Sequence, residues 1–234
     1  MSLRINSLVR KIPHIILVVF ALLFVGCLVK VTVWERNYYD EKEGSARASV
    51  GQGGANASGP EEVDETEVTE EEVRAYTVAP DKPRYLMAAF MGQDTKARIR
   101  EVGLTPSGAM ATLASIFDVG WYRNSSKPGQ GGTLLMNAHN GGPTKIGIFK
   151  YLDQVQVGDR LTIERGDGAT FDYEVYESKI LPLAEANSYM SAMQTSPVPG
   201  RESLSLISCT GEWSQQQRTY LSRAMVRAVL VETP

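Results

Sequence analysis

The sequence predicts a mainly β domain, closed or nearly closed into a barrel, preceded by one transmembrane helix. Three features predict it: a nearly unbroken apolar run at residues 12–34, several short alternating strands crowded into residues 78–234, and only short helical patterns between them. At 234 residues and 43% hydrophobic composition, the chain has room for one ordinary domain plus extra segments.

Residues 1–11 include Arg4, Arg10 and Lys11, which by the positive-inside bias keep a short N-terminus in the cytoplasm. Residues 12–34 are interrupted only by Pro13, His14 and Lys30, and about 20 apolar residues suffice to cross a bilayer. A cleaved signal peptide fits less well, because its apolar core is usually about 7–15 residues and no small-residue cleavage site follows here. A lipoprotein signal at Phe24-Val-Gly-Cys27 would be followed by polar chain, whereas residues 28–34 stay apolar. The expectation is a single-pass anchor in the cell membrane with the rest of the chain extracytoplasmic.

Residues 35–77 shift to Gly, Ala, Ser and Glu, including Gly51-Gln-Gly-Gly-Ala-Asn-Ala-Ser-Gly59. The run 61–72 then carries eight acidic residues and no basic one. Such a stretch buries too little apolar surface to offset its ordering entropy, so it reads as a flexible tether extended by self-repulsion. A binding role for these acids, toward calcium or a basic partner, is the weaker reading.

In residues 78–234, Leu161-Thr-Ile-Glu164 and Phe171-Asp-Tyr-Glu-Val175 alternate apolar with polar, as half-buried strands do. Gly166-Asp-Gly168 between them is a hairpin turn signal. Residues 85–90, 133–137, 204–208 and 224–231 are further strand candidates. Helical pieces are expected at 107–117 and 183–193, with a turn around 146–152.

Outside the acidic run 19 acids face 24 Lys and Arg, a mildly basic balance too weak to argue for a nucleic-acid partner. The cysteines are Cys27 and Cys209, and the histidines are His14 and His139. With Cys27 inside the apolar run, these residues supply neither a disulfide framework nor a zinc site, and neither metal nor cofactor is expected.

Beyond the apolar run there is thus one thiol and one imidazole, the minimal kit for nucleophilic catalysis at an acyl centre. Counts alone also fit a small apolar Cys and a structural His. Local context favours chemistry: Cys209 follows the apolar strand Leu204-Ser-Leu-Ile-Ser208, and His139 follows Thr133-Leu-Leu-Met-Asn-Ala138, so both are expected at strand ends. Arg223 opens the last predicted strand. If that strand pairs antiparallel with 204–208, Arg223 stands near Cys209, where a fixed charge stabilises a thiolate and a developing oxyanion. Arg218, within the intervening loop, is the other candidate, and either arginine can instead be an ordinary surface charge.

These segments resemble the sortases, with the likeness running from about Val78 to the end of the chain. Leu204-Ser-Leu-Ile-Ser-Cys209 is similar to the family's Thr-Leu-x-Thr-Cys strand, Asn137-Ala-His139-Asn to its Gly-His segment, and Arg223-Ala-Met-Val-Arg-Ala228 to its Arg-Leu-Val-Val-x-Ala ending. Val119-Gly-Trp-Tyr122 with Pro128-Gly, and Gly147-Ile-Phe-Lys-Tyr-Leu152 with Gly158-Asp159, resemble class F or its neighbour class E. Ser208 stands where the family usually has Thr, and Ala138 where it has Gly.

The resemblance implies a closed eight-stranded barrel and a cysteine transpeptidase. In it Cys209 is the nucleophile, His139 the general acid/base, and Arg223, or in its place Arg218, holds the oxyanion. It further implies as partners surface proteins bearing a Leu-Pro-x-Thr-Gly-like sorting signal, and an amine acceptor from a peptidoglycan precursor or a pilin subunit. Residues 181–201, with Pro182, Pro197, Val198 and Pro199, lie where sortases recognise that signal. Asn137, Ala138, Ser208, Thr210 and Trp213 are expected beside the bound peptide, while Trp121 and Tyr220 fit groove or barrel packing equally. Competing readings are a catalytically silent, membrane-tethered binding barrel, and a thiol hydrolase that uses water as acceptor. An L,D-transpeptidase would carry Ser-x-Gly-Cys, which Leu206-Ile-Ser-Cys209 lacks.

Overall fold

The computed structural model describes residues 63–92 and 95–231. Eight strands close into a barrel: β1 (Pro83–Ala88), β2 (Ala97–Val102), β3 (Val119–Tyr122), β4 (Thr133–Asn137), β5 (Arg160–Arg165), β6 (Thr170–Pro182), β7 (Ser203–Ser214) and β8 (Thr219–Leu230). Their order around the barrel is β1-β2-β3-β4-β7-β8-β6-β5, with β5 returning to β1. The pairs β2–β3 and β4–β7 are parallel and the others antiparallel. The expected transmembrane helix at 12–34 lies outside the described residues. Among those residues no helix is long and apolar enough to cross a membrane.

Period-two alternation places one side chain of each pair inside the barrel and the next outside. Leu134, Met136, Leu204, Leu206, Val226 and Ala228 fill the interior together with Trp121, Tyr173 and Phe149. A second apolar layer lies on the outer face: Leu135, Ile207 and Met225 pack beneath α2 (Leu183–Met193) through Ala186 and Met193. That is why β4 and β7 read as continuous apolar runs, since both of their faces are covered.

The β5–β6 hairpin turns where expected. The Gly168 N–H donates to the Arg165 carbonyl at 2.9 Å, with Gly168 at φ +89°, a conformation that suits glycine. β6 pairs on one edge with β5 through residues 170–174 and on the other with β8 through residues 173–182, the second ladder shifting register at a bulge between Val175 and Glu177.

Two expectations need correction. Residues 107–117 form no helix: Pro106, Ser107 and Gly108 turn the chain so that Leu104 bridges Met110, and the segment continues as loop. The tether predicted for 35–77 does not extend that far, because residues 63–77 lie against the barrel. Within them α1 (Glu70–Ala75) starts at a capping box in which Thr69 and Glu72 satisfy each other's backbone N–H groups. The Tyr85 hydroxyl donates to the Val73 carbonyl, and Arg84 Nε donates to the Tyr76 carbonyl at 2.8 Å. Acidic composition therefore did not keep this stretch loose, because its backbone carbonyls accept hydrogen bonds from barrel side chains.

Candidate active site

Cys209 is not at a strand end as expected, but inside β7, and Arg223 lies within β8 rather than opening it. The two are directly opposed in the antiparallel register. Cross-strand partners project from the same face, and alternation from Ile207 and Met225 puts this pair on the outer face. Cys209 is half-buried. Burial pushes its thiol above the ordinary value, and the Arg223 charge pulls it back down.

The Arg223 guanidinium is held against its own strand. Nη1 donates to the Tyr220 and Ser222 carbonyls at 2.8 and 2.9 Å, and Nη2 donates to Thr219 Oγ1 at 3.2 Å. Arg218 sits at the β7–β8 turn, exposed, with φ +50°. The last strand pair before that turn is Ser214–Thr219. Five residues of strand beyond Cys209 amount to about 17 Å, so Arg223 and not Arg218 is brought to the thiol.

His139 follows two residues beyond the end of β4, the parallel neighbour of β7. Asn137 pairs with Ile207, and the Ala138 N–H donates to the Ile207 carbonyl at 3.3 Å. His139 and Cys209 each lie two residues beyond that Asn137–Ile207 pair, toward the same end of the two parallel strands. His139 Nε2 lies 2.7 Å from the Leu113 carbonyl. A carbonyl only accepts, so Nε2 carries the proton and Nδ1 is left to exchange one.

Of the residues expected beside a bound peptide, Asn137 shares the outer face, and its Nδ2 donates to the Ala111 carbonyl at 3.1 Å. Ala138, Ser208 and Thr210 have the opposite parity and are buried. Ser208 Oγ donates to the Ala138 carbonyl at 2.9 Å, and Thr210 Oγ1 donates to Asp153 at 2.6 Å. These three build the frame beneath the site and do not line it. Trp213 lies beyond a bulge and stacks edge-on with Tyr220 at 5.2 Å. Trp121 is core packing, its indole N–H donating to the Ser126 carbonyl at 3.1 Å.

Sequence reasoning missed the apolar layer that seats α2 on the outer face next to Cys209: Leu135, Ile207 and Met225, with Met110, Leu181 and Met190 packed against it. The doubly apolar strands were the available signal. It also missed the cluster that fixes α2. Glu177 accepts from Lys179 at 2.5 Å, from the Tyr189 hydroxyl and from Arg227 at 3.0 Å, while Arg227 Nη2 donates to the Thr195 carbonyl at 3.1 Å. Burial raises the Glu177 carboxyl, but these three donors outweigh it and bring it to about 2.

A family model described as a sortase domain matches residues 93–231, more than half of the chain. No curated protein matches. Among solved structures, a lid mutant of Streptococcus agalactiae sortase C1 is 22% identical, with 71% of this chain and 77% of that one covered and a TM-score of 0.47. A lid mutant of sortase A from Corynebacterium diphtheriae is 21% identical, covering 67% and 74% at a TM-score of 0.47. A Clostridium perfringens sortase D5 transpeptidase is 19% identical, covering 71% and 91% at 0.44. At such similarity, membership rests on the domain match.

Proposed function

The chain belongs to the sortase family of cysteine transpeptidases, and we propose that Cys209, His139 and Arg223 carry its acyl transfer. The observation that carries this reading is the opposed Cys209–Arg223 pair, with His139 just beyond the end of the parallel strand beside it.

In the reaction, Cys209 Sγ attacks the scissile carbonyl carbon while its proton passes to His139 Nδ1. Arg223 donates to the oxyanion of the tetrahedral intermediate, where donors aimed at developing charge act most strongly. The C–N bond then breaks, and the imidazolium returns its proton to the leaving amine, giving a thioester. An incoming amine loses a proton to the same nitrogen, attacks the thioester and expels the Cys209 sulfur, which regains that proton.

The substrate is a C-terminal sorting signal of the Leu-Pro-x-Thr-Gly kind on a surface protein, laid over the outer face of β7 and β8 at Cys209 and Arg223, with α2, seated on Leu135, Ile207 and Met225, to one side. The acceptor is an amine of a peptidoglycan precursor or a pilin subunit. The finer class is F or its neighbour E, on the likeness of Val119-Gly-Trp-Tyr122 and Gly147-Ile-Phe-Lys-Tyr-Leu152. The apolar run at 12–34 supports a single-pass membrane anchor with the barrel outside the cell.

The test is turnover of a quenched Leu-Pro-x-Thr-Gly peptide library with and without an added amine. Amine-dependent ligation that is lost in Cys209→Ala and in His139→Ala is the expected result. Cleavage with no ligated product at any amine concentration would instead make the protein a thiol hydrolase, and no turnover at all would make it a binding barrel.

A further inference from the structure

Residues 63–67, the part of the acidic run next to the barrel, touch both segments that support His139. On one side, the Asp64 N–H donates to the Ala114 carbonyl at 2.9 Å and the Ile116 N–H donates to the Asp64 carbonyl at 3.1 Å, a parallel bridge centred on Ser115. The neighbouring Leu113 carbonyl is the one that holds His139 Nε2 at 2.7 Å.

On the other side lies loop 140–147, which begins at the residue after His139. It closes on itself through Gly147 N–H to the Asn140 carbonyl at 2.9 Å and Gly142 N–H to the Lys145 carbonyl at 2.9 Å. The Glu65 carboxylate caps its tip, accepting from the Thr144 and Lys145 N–H groups at 2.7 Å each and from Thr144 Oγ1 at 2.5 Å. The loop also folds tightly onto His139, since a Cβ on Gly147 would meet the His139 carbonyl oxygen at 2.4 Å. The Thr144 hydroxyl and the two backbone N–H groups hold the Glu65 carboxyl below the usual carboxylate range, so it stays ionised at neutral pH.

We propose that residues 63–67 are a strap that positions the His139 imidazole, with Glu65 as its positioning residue. This rests on reading His139 as the proton carrier. A ring held through a loop on each side is fixed in orientation, with Nε2 on the Leu113 carbonyl and Nδ1 left to exchange a proton. A single strap braces both loops, so releasing it loosens the ring without altering the peptide groove. The expected signature is therefore a loss in kcat at nearly constant KM, because the interaction matters in the transition state and not in peptide binding.

The experiment uses the full chain and amine-dependent ligation of a sorting-signal peptide, with Glu65→Ala, Glu65→Gln, Gly142→Ala, the double variant Glu65→Ala/Gly142→Ala, and His139→Ala. Glu65→Ala is expected to lower kcat about tenfold with KM within about twofold. Glu65→Gln, whose amide oxygen still accepts from both N–H groups, is expected to restore most of that activity. Gly142→Ala attacks the same contact from the loop side, since its Cβ would meet Glu65 Oε1 at 2.5 Å. It is expected to give a similar loss, and the double variant no further loss, which is the non-additivity of a shared contact. Should Glu65→Ala fail to fold, the contrast of Gly142→Ala with Glu65→Gln decides on its own. Wild-type kcat in Glu65→Ala and Gly142→Ala, with His139→Ala inactive, overturns the strap and leaves the site reading intact. Activity retained in His139→Ala overturns both.

Discussion

Cys209 and Arg223 face each other across the β7–β8 ladder, one residue to one residue, on the outer wall of the barrel. The pairing sets up opposed effects on the sulfur: burial favours the neutral thiol and the guanidinium favours the thiolate. Burial dominates, so the resting group is a thiol. A raised pKa means less thiolate at any given pH. Alkylation of Cys209 by iodoacetamide, followed by peptide mass spectrometry to separate it from Cys27, should therefore rise with a midpoint above that of free cysteine, about 8.5. Arg223→Ala should move the midpoint higher and Arg223→Lys should restore part of the difference. A midpoint at or below that of free cysteine contradicts the ordering of the two effects.

The two arginines separate by turnover. Removing one oxyanion donor typically costs about 10²–10³ in kcat, and Arg223→Ala should fall in that range. Arg218→Ala, at an exposed turn about 17 Å along the strand, should stay within about twofold. The reverse order would mean that the β7–β8 tip folds back over the thiol during turnover.

The seating of α2 on the barrel, proposed to flank the peptide, depends on Glu177, which binds Lys179, Tyr189 and Arg227 together. Arg227→Met leaves that carboxylate without its most buried donor and frees the Thr195 carbonyl at the end of α2. It should raise KM for the peptide severalfold and lower stability by about 1–3 kcal/mol. The Glu177 carboxyl is depressed to about 2 from the ordinary 4.5. Its contribution is thus fully present above about 4.5 and is lost as pH falls toward about 2. Thermal unfolding followed over that range should lose more for the wild type than for Glu177→Gln.

Far from the thiol, buried Glu202 accepts from the Tyr173 hydroxyl at 2.5 Å and from the Gly129 and Gly131 N–H groups at 3.0 and 2.7 Å. Glu202→Ala strands those donors and should cost about 3 kcal/mol, seen as a lower urea midpoint with the slope unchanged. Chemistry in the folded fraction should not change.

The sequence made the reacting groups legible because they were scarce: with one thiol and one imidazole beyond the apolar run, Cys209 and His139 had no competitors. Arg223 followed from a simple antiparallel pairing, which the register of β7 and β8 supplies. The peptide-facing residues were less legible. Ala138, Ser208 and Thr210 neighbour the reactive positions in sequence, yet alternation turns them into the barrel. The apolar layer that seats α2, at Leu135, Ile207 and Met225, was hidden in runs that look like core. Composition also misjudged residues 63–77, because a run of acids shows its own repulsion and not the loop N–H groups and barrel hydroxyls that face it in the fold. Residues 107–117 misled for a related reason, since their apolar spacing suits a helix while Pro106 and Gly108 turn the chain away from one.

The most direct test of the central claim is intact-mass analysis of the full chain incubated with a sorting-signal peptide and no amine. A covalent adduct with the mass of the peptide's N-terminal fragment should appear on Cys209, discharge when amine is added, and be absent in Cys209→Ala. Turnover that proceeds with no adduct on Cys209, or persists in Cys209→Ala, would contradict acyl transfer through this thiol.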